Sequence, residues 1–300
     1  MDSVTRLPVA TADLRAPSGS EDHLERLTQV CVDDLISAFG LGRVSFGRAL
    51  MESISRIPAR RLARQILTYD RIVGASGLGT GGAWALKRLS RNNTIESKEN
   101  VPRNGPLLLV SNHPGLADAV ALFAATPRDD LRVIAADRPF LEALPNTSRH
   151  LLTVAETSAG RSGVARAATR HLRDGGAVLT FPGGRIEPDP AVLPGALRAL
   201  DRWSSSADLF ARLTPGLVIV PVVVSGVLSP SALRNPLIHL RRRRREREWL
   251  AATLQMLVPA LRNVDARVHF GRPIHAEPGA AVGVAVIEET QRLIESRMTG

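Results

Sequence analysis

The sequence predicts an α/β protein, a two-layer mixed sheet with flanking helices, preceded by a helical N-terminal region. Three observations carry this reading. Short apolar runs recur at 107–110, 132–135, 151–154, 177–181, 218–224 and 267–270, each the length of a strand. Between them lie stretches of helical pattern near 116–126, 162–174, 195–213 and 246–261, with a last helix at 283–298. Ahead of residue 92 the apolar residues follow a helical period instead.

Taken in order, residues 1–19 are rich in Pro, Ser, Ala and Thr and are expected to be disordered or loosely attached. Ser20, followed by Glu21 and Asp22, reads as a helix N-cap with acids in the first turn, and Leu24, Leu27, Val30 and Leu35 then share a stripe. A second helix is expected over 44–73. There Arg48, Glu52, Arg56, Arg60 and Arg64 recur every four residues. Leu50, Ile54, Leu62 and Ile66 recur two positions out of phase, about 200° round the helix, so charge and apolarity take opposite faces. Pro58 is expected to kink or break it. Gly77 to Gly82 reads as a loop before a short helix at 83–89. The organisation is thus an N-terminus at 1–19, a helical region at 20–92 and an α/β domain at 93–300. Within that domain "LVIVPVVVSGV", 217–227, is a core strand. Its Pro221 has no N–H for a ladder and points to an edge or a bulge.

Composition narrows the function. Hydrophobic residues make up 44% of the 300, yet aromatics only 4%, so Leu, Val, Ile and small residues must fill the core. Lys and Arg outnumber Asp and Glu by 39 to 29, and the net charge of +10 favours a membrane surface, nucleic acid, or a phosphorylated or carboxylated substrate. Nucleic acid is set aside: one tyrosine and few other aromatics leave little to stack on bases, and no binding motif is present. The single cysteine, Cys31, excludes an intramolecular disulfide, and without a Cys/His cluster no metal is expected. No stretch approaches the ~20 apolar residues of a membrane span, and the N-terminus lacks the apolar core of a secretory signal. A cytoplasmic location is expected, peripheral at the inner face of the membrane. The arginine run at 241–245 reads first as the solvated start of a helix. Together with the amphipathic segment 46–67 it also offers attraction to anionic headgroups, each charge worth ~1 kcal/mol near such a surface.

Two stretches carry chemistry. In "PLLLVSNHPGLADAVALFAA", 106–125, a polar break separates a strand from an apolar helix. His113 and Asp118 have four residues between them, and on one helix they would stand about 140° apart. They meet only if His113 lies in the turn leaving the strand and the helix begins after Pro114-Gly115, with Gly115 allowing the change of direction. Asp118 would then orient His113 as a general base and favour its imidazolium. In "GGAVLTFPGGRIEPDP", 175–190, two glycines follow a strand, where their amides can approach a ligand, and Arg185 can clamp a carboxylate or phosphate. A serine hydrolase is excluded, because no G-x-S-x-G elbow is present.

These stretches resemble the glycerolipid acyltransferases with the His-x4-Asp motif, the family of bacterial lysophosphatidate acyltransferase. Asn112-His-Pro-Gly-Leu-Ala-Asp118 is similar to the first family motif, Phe181-Pro-Gly-Gly-Arg185 to its "FPEGTR", and Ile219-Val-Pro-Val-Val to its "VPV" strand. The resemblance spans about 105–275. It implies a two-layer α/β fold and transfer of a fatty acyl group from an acyl thioester to the hydroxyl of a lysophospholipid or glycerol-phosphate-like acceptor. The donor would be acyl-CoA or an acyl carrier protein, a co-substrate rather than a cofactor. His113 would be the base oriented by Asp118; Gly183, Gly184 and Arg185 would line the acceptor site. The family's Glu is Gly183 here, and its arginine comes one position early. In "LLTVAETSAGRSG", where the family has an arginine for acceptor phosphate, Glu156 precedes Arg161. Arg161 is the best substitute and Arg138 the next. The alternatives are a non-phosphate lipid or glycolipid acceptor, or a non-catalytic lipid-binding protein of the same fold.

Overall fold

The computed structural model describes residues 18–41, 48–154, 158–277 and 281–298. Eight strands form one sheet: β1 (Asn92–Glu96), β2 (Leu107–Ser111), β3 (Leu131–Ala136), β4 (Leu151–Val154), β5 (Ala177–Thr180), β6 (Val218–Ser225), β7 (Asp265–Phe270) and β8 (Ile274–His275). Their order is β1-β7-β6-β2-β5-β3-β4, with β8 also pairing β6. Pairings are parallel except those of β6 with β7 and β8. The longer helices are α1 (Ser18–Phe39), α2 (Arg48–Leu89), α3 (Asp118–Ala125), α4 (Ser158–Arg173), α5 (Ser206–Leu213), α6 (Arg244–Leu257) and α7 (Gly283–Met298).

The sheet is mixed, flanked by helices and preceded by a helical region, as the sequence predicts, and helices cover both of its faces. On one face Leu107, Leu109, Leu179, Val220 and Val222 pack against Tyr69, Val73 and Leu86 of α2 and Leu122 of α3. On the other, Leu108, Val110, Val178 and Ile219 meet Leu172 of α4, Phe210 of α5 and Val286 of α7. Burial on both sides is why β2, β5 and β6 read as unbroken apolar runs. β1, "NNTIE", lies exposed at the edge and has no such run to betray it.

Several elements depart from expectation. α2 runs through Pro58 without ending there, and in place of the expected glycine loop two helical stretches meet at a kink at Gly77, φ 83° and ψ 169°. Gly82 lets α2 approach α3 closely: a Cβ there would stand 2.7 Å from Phe123 Cβ and 2.8 Å from Val120 O. The faces of α2 also differ. Ser55, Ala59 and Ala63 are the buried stripe, with Leu62 and Ile66 packed at its margin, whereas Leu50 and Ile54 are 65% and 61% exposed. The reason lies in α1, which presents Glu21 and Glu25 to Arg56 and Arg60. Small residues let the backbones close, so the arginines reach those acids. Pro221 sits in the interior strand β6, not at an edge. Its carbonyl accepts from Gly271 N–H at 2.7 Å, so its nitrogen faces the break between β7 and β8, where no ladder bond is needed.

The stretch 195–213 is not one helix. A short helix Ala196–Ala199 and a 3-10 turn Leu200–Arg202 end at Trp203, which turns extended before α5. Trp203 donates its indole N–H to Glu187 at 2.7 Å, and Ser204 N–H bonds Pro182 O at 3.1 Å, so contacts with the loop after β5 override the local helical preference.

Candidate active site

The carboxyl ends of β2 and β5 build the site. β2 is prolonged past Ser111 by the side chain of Asn112, which donates to Val224 O at 2.9 Å and accepts Val224 N–H at 2.8 Å. The buried amide thus imitates a ladder pair with β6 and fixes where the next residue points. That residue is His113. The chain then turns through Pro114-Gly115 and enters α3, which places Asp118 in its first turn.

His113 Nδ1 and Asp118 Oδ2 are 2.6 Å apart. Asp118 is fully buried and also accepts the N–H groups of Gly115 at 3.2 Å and Ala119 at 2.6 Å. With Asp118 Oδ2 facing Nδ1, the hydrogen bond places the His113 proton on Nδ1 and leaves Nε2 free to accept another. Gly115 contributes through that amide; it stays out of the left-handed region. Phe181 packs on the imidazole, ring centroids 4.7 Å apart. The His113 side chain keeps 29% of its surface exposed, enough to meet a substrate.

Glu187 holds the same histidine from the other side, and sequence reasoning missed it. Its Oε2 accepts His113 N–H at 3.0 Å, and its own N–H bonds His113 O at 2.8 Å. Burial pulls the His113 pKa down, but the Asp118 carboxylate, its hydrogen bond and the charge of Glu187 outweigh this and leave it raised. Desolvation pushes Glu187 up, with Trp203 and His113 pulling the other way. Asp189 then ties this loop to the one after β6: fully buried, it accepts N–H bonds from Ala191, Gly226, Val227 and Leu228 at 2.8–3.0 Å. The signal was present in "IEPDP", where two acids alternate with prolines straight after the glycine turn.

The other expected site residues fare unequally. Gly184 has φ 61° and spends its N–H on Phe181 O at 3.0 Å, so it shapes the turn and has no amide to offer a ligand. Gly183 and Arg185 line a cleft of about 250 Å³ beside the His113 loop, together with Glu187. Arg138 follows β3, where its charge acts on Asp34 of α1. Arg161 is exposed in the first turn of α4, after β4. Both sit at the same end of the sheet as His113, but β3 and β4 are two and three strands from β2, about 10 and 14 Å across the ladder. Glu156 lies outside the described residues. The arginine run divides. Arg241 turns inward over Gly40 and pairs with Glu246 at 3.3 Å, while Arg244 and Arg245 open α6 on the rim of the cleft.

Residues 92–225 match the family model described as Acyltransferase. That interval holds β1 to β6, His113, Asp118 and the whole loop after β5. No curated protein matches the chain. Among solved structures, the 1-acyl-sn-glycerophosphate acyltransferase PlsC of Thermotoga maritima is similar at 15% identity, covering 93% of this chain and 94% of its own, with a TM-score of 0.48.

Proposed function

We propose, from the match of residues 92–225 to the acyltransferase family model, that the chain moves a fatty acyl group from an acyl thioester to the hydroxyl of a lysophospholipid or glycerol-phosphate-like acceptor. The observation that carries the reading is the buried Asp118 holding Nδ1 of a partly exposed His113 at 2.6 Å. Nε2 takes the proton of the acceptor hydroxyl as that oxygen attacks the thioester carbonyl. The tetrahedral intermediate expels the thiolate, the C–S bond breaks, and the imidazolium returns its proton to the sulfur. Atoms and charge balance without a covalent enzyme intermediate. Asp118 stabilises the imidazolium in between, in a site where burial strengthens the attraction. Gly183 and Arg185, beside the His113 loop, bind the acceptor and its anion, and Arg161 and Arg138 stand farther along the same end of the sheet.

The chain reaches its lipid at the membrane surface. No described helix is long and apolar enough to cross a bilayer. Instead Leu50, Ile54 and Ile57 of α2, exposed at 65%, 61% and 80%, form a stripe that continues into Arg61 and Arg64. Apolar side chains followed by arginines whose heads stay at headgroup level suit an anionic interface.

The test is thiol release from a long-chain acyl-CoA with and without a panel of lysophospholipids and glycerol phosphate, wild type against His113→Ala. Acceptor-dependent release that disappears in the variant is the expected result. Full activity in the variant would sink the assignment of the base.

A further inference from the structure

The cleft beside His113 carries more positive charge than one acceptor phosphate explains. Its walls come from three places: the loop after β5, the stretch 194–202 and the first turn of α6. Besides Arg185 it is lined by Arg198, Arg202, Arg244 and Arg245, against the carboxylates of Glu187 and Glu248. Both acids are committed. Glu248 pairs with Arg244 at 2.8 Å, and Glu187 accepts from Trp203 and the His113 amide. Among the described residues no carboxylate lies in ion-pair range of Arg198, Arg202 or Arg245.

We propose that these arginines hold the phosphates of a nucleotide-bearing acyl thioester, a coenzyme A ester, so that their part of the cleft is the donor site and Arg185 is left to the acceptor. The inference rests on the reading of the chain as a thioester-using enzyme. Three uncommitted guanidiniums around one cleft repel one another in the empty protein, and a multivalent anion relieves that repulsion. Arg244 stands beside them, and the N-terminus of the 14-residue α6 adds its dipole at the same place. Guanidinium forks match phosphate oxygens in pairs.

Charge distribution selects the donor over the acceptor. The end of the cleft next to His113 is the buried acid Glu187, and the arginines form the exposed part. A ligand that fits is neutral at the Glu187 end and anionic at the other. A coenzyme A ester has this order: an uncharged thioester and pantetheine arm, then a diphosphate and a 3′-phosphomonoester. A glycerol-phosphate acceptor carries one phosphomonoester, about −2, only a few bonds from the reacting hydroxyl. It suits Arg185, nearest in sequence to the turn, and leaves the other arginines unused.

Free coenzyme A is the probe, because its binding needs no turnover. Its affinity is measured by calorimetry on the full chain for wild type, Arg198→Ala/Arg202→Ala and Arg198→Lys/Arg202→Lys, at low and high salt, with thermal unfolding as the folding control. The alanine pair is expected to weaken coenzyme A at least tenfold, and the lysine pair to keep most of the binding. Added salt should weaken the wild type more than the alanine pair. In turnover the alanine pair should raise the KM for acyl-CoA and leave the KM for the acceptor within about twofold. Unchanged coenzyme A affinity overturns the proposal, and so does a rise confined to the acceptor KM. Binding of an acyl carrier protein but not of coenzyme A, lost in the same variants, overturns it in favour of a protein dock. If coenzyme A binds and the alanine pair loses it while the wild type transfers no acyl group, the cleft assignment stands and the catalytic reading falls.

Discussion

Glu187 occupies the space that a side chain on residue 183 would take: a Cβ added to Gly183 would stand 2.4 Å from Glu187 Oε1. The two positions are therefore complementary. Glu187 reaches the His113 amide and the Trp203 indole because residue 183 has nothing beyond its Cα. Gly183→Ala is expected to push the carboxylate off both partners. It should lower stability by about 1–3 kcal/mol in chemical denaturation and reduce turnover. In a Glu187→Gly background the same substitution should cost much less, and a double-mutant cycle reads this coupling. Additive effects would show that the two positions are independent.

Activity should fall on the acid side as His113 gains its proton. In the proposed reaction His113 works only when neutral, and Asp118 and Glu187 hold its pKa above the ordinary 6.5. The midpoint of the acid limb in a pH–rate profile is thus expected above 6.5. Glu187→Gln removes one of the charges that raise it, so the limb should move to lower pH. A limb that stays in place would show that Glu187 does not act on His113 electrostatically.

Asp118→Asn tests orientation separately from charge at a distance. The amide can no longer hold the Nδ1 proton as a carboxylate does, nor stabilise the imidazolium. A loss of kcat on the order of 10²-fold or more is expected. The KM values should change far less, because Asp118 is fully buried and touches no ligand-facing surface.

Asp189 should matter to stability. Its removal as alanine orphans four backbone N–H groups in the two loops that frame the site. Each buried orphan costs about 1–3 kcal/mol, discounted where water can enter. Asp189→Ala is expected to lose at least about 2 kcal/mol in urea unfolding. A change within error would mean that the loops are held elsewhere.

Replacing Leu50, Ile54 and Ile57 together by serine should leave the unfolding midpoint nearly unchanged, because all three are exposed. Co-sedimentation with anionic vesicles should nonetheless drop at least tenfold, each apolar side chain being worth about 1.5–3 kcal/mol when buried. Equal sedimentation would move the membrane contact to another surface.

The β2, β5 and β6 strands announce themselves because burial on both faces demands unbroken apolar runs. The meeting of His113 with Asp118 follows from covalent distance, since five positions along the chain permit contact across a strand–helix turn and forbid it within one helix. Those relations are local, and local periodicity and chain reach are what a sequence displays.

Everything that depends on a distant segment was decided by tertiary structure. Glu187 stands 74 positions from His113, and nothing in "IEPDP" says which amide it will accept. Trp203 breaks a helical pattern because Glu187 is there to receive its N–H. On α2 the repeating Leu50 and Ile54 look like a core stripe, yet Ala59 and Ala63 are buried instead, because α1 offers glutamates to the arginines beside them. Arg198 and Arg202 on one segment and Arg245 on another, more than 40 positions on, meet at one cleft only in the folded chain. Hydrophobic periodicity records which side of an element is buried on average. Which partner waits there, and which charge it carries, exists only in the assembled molecule.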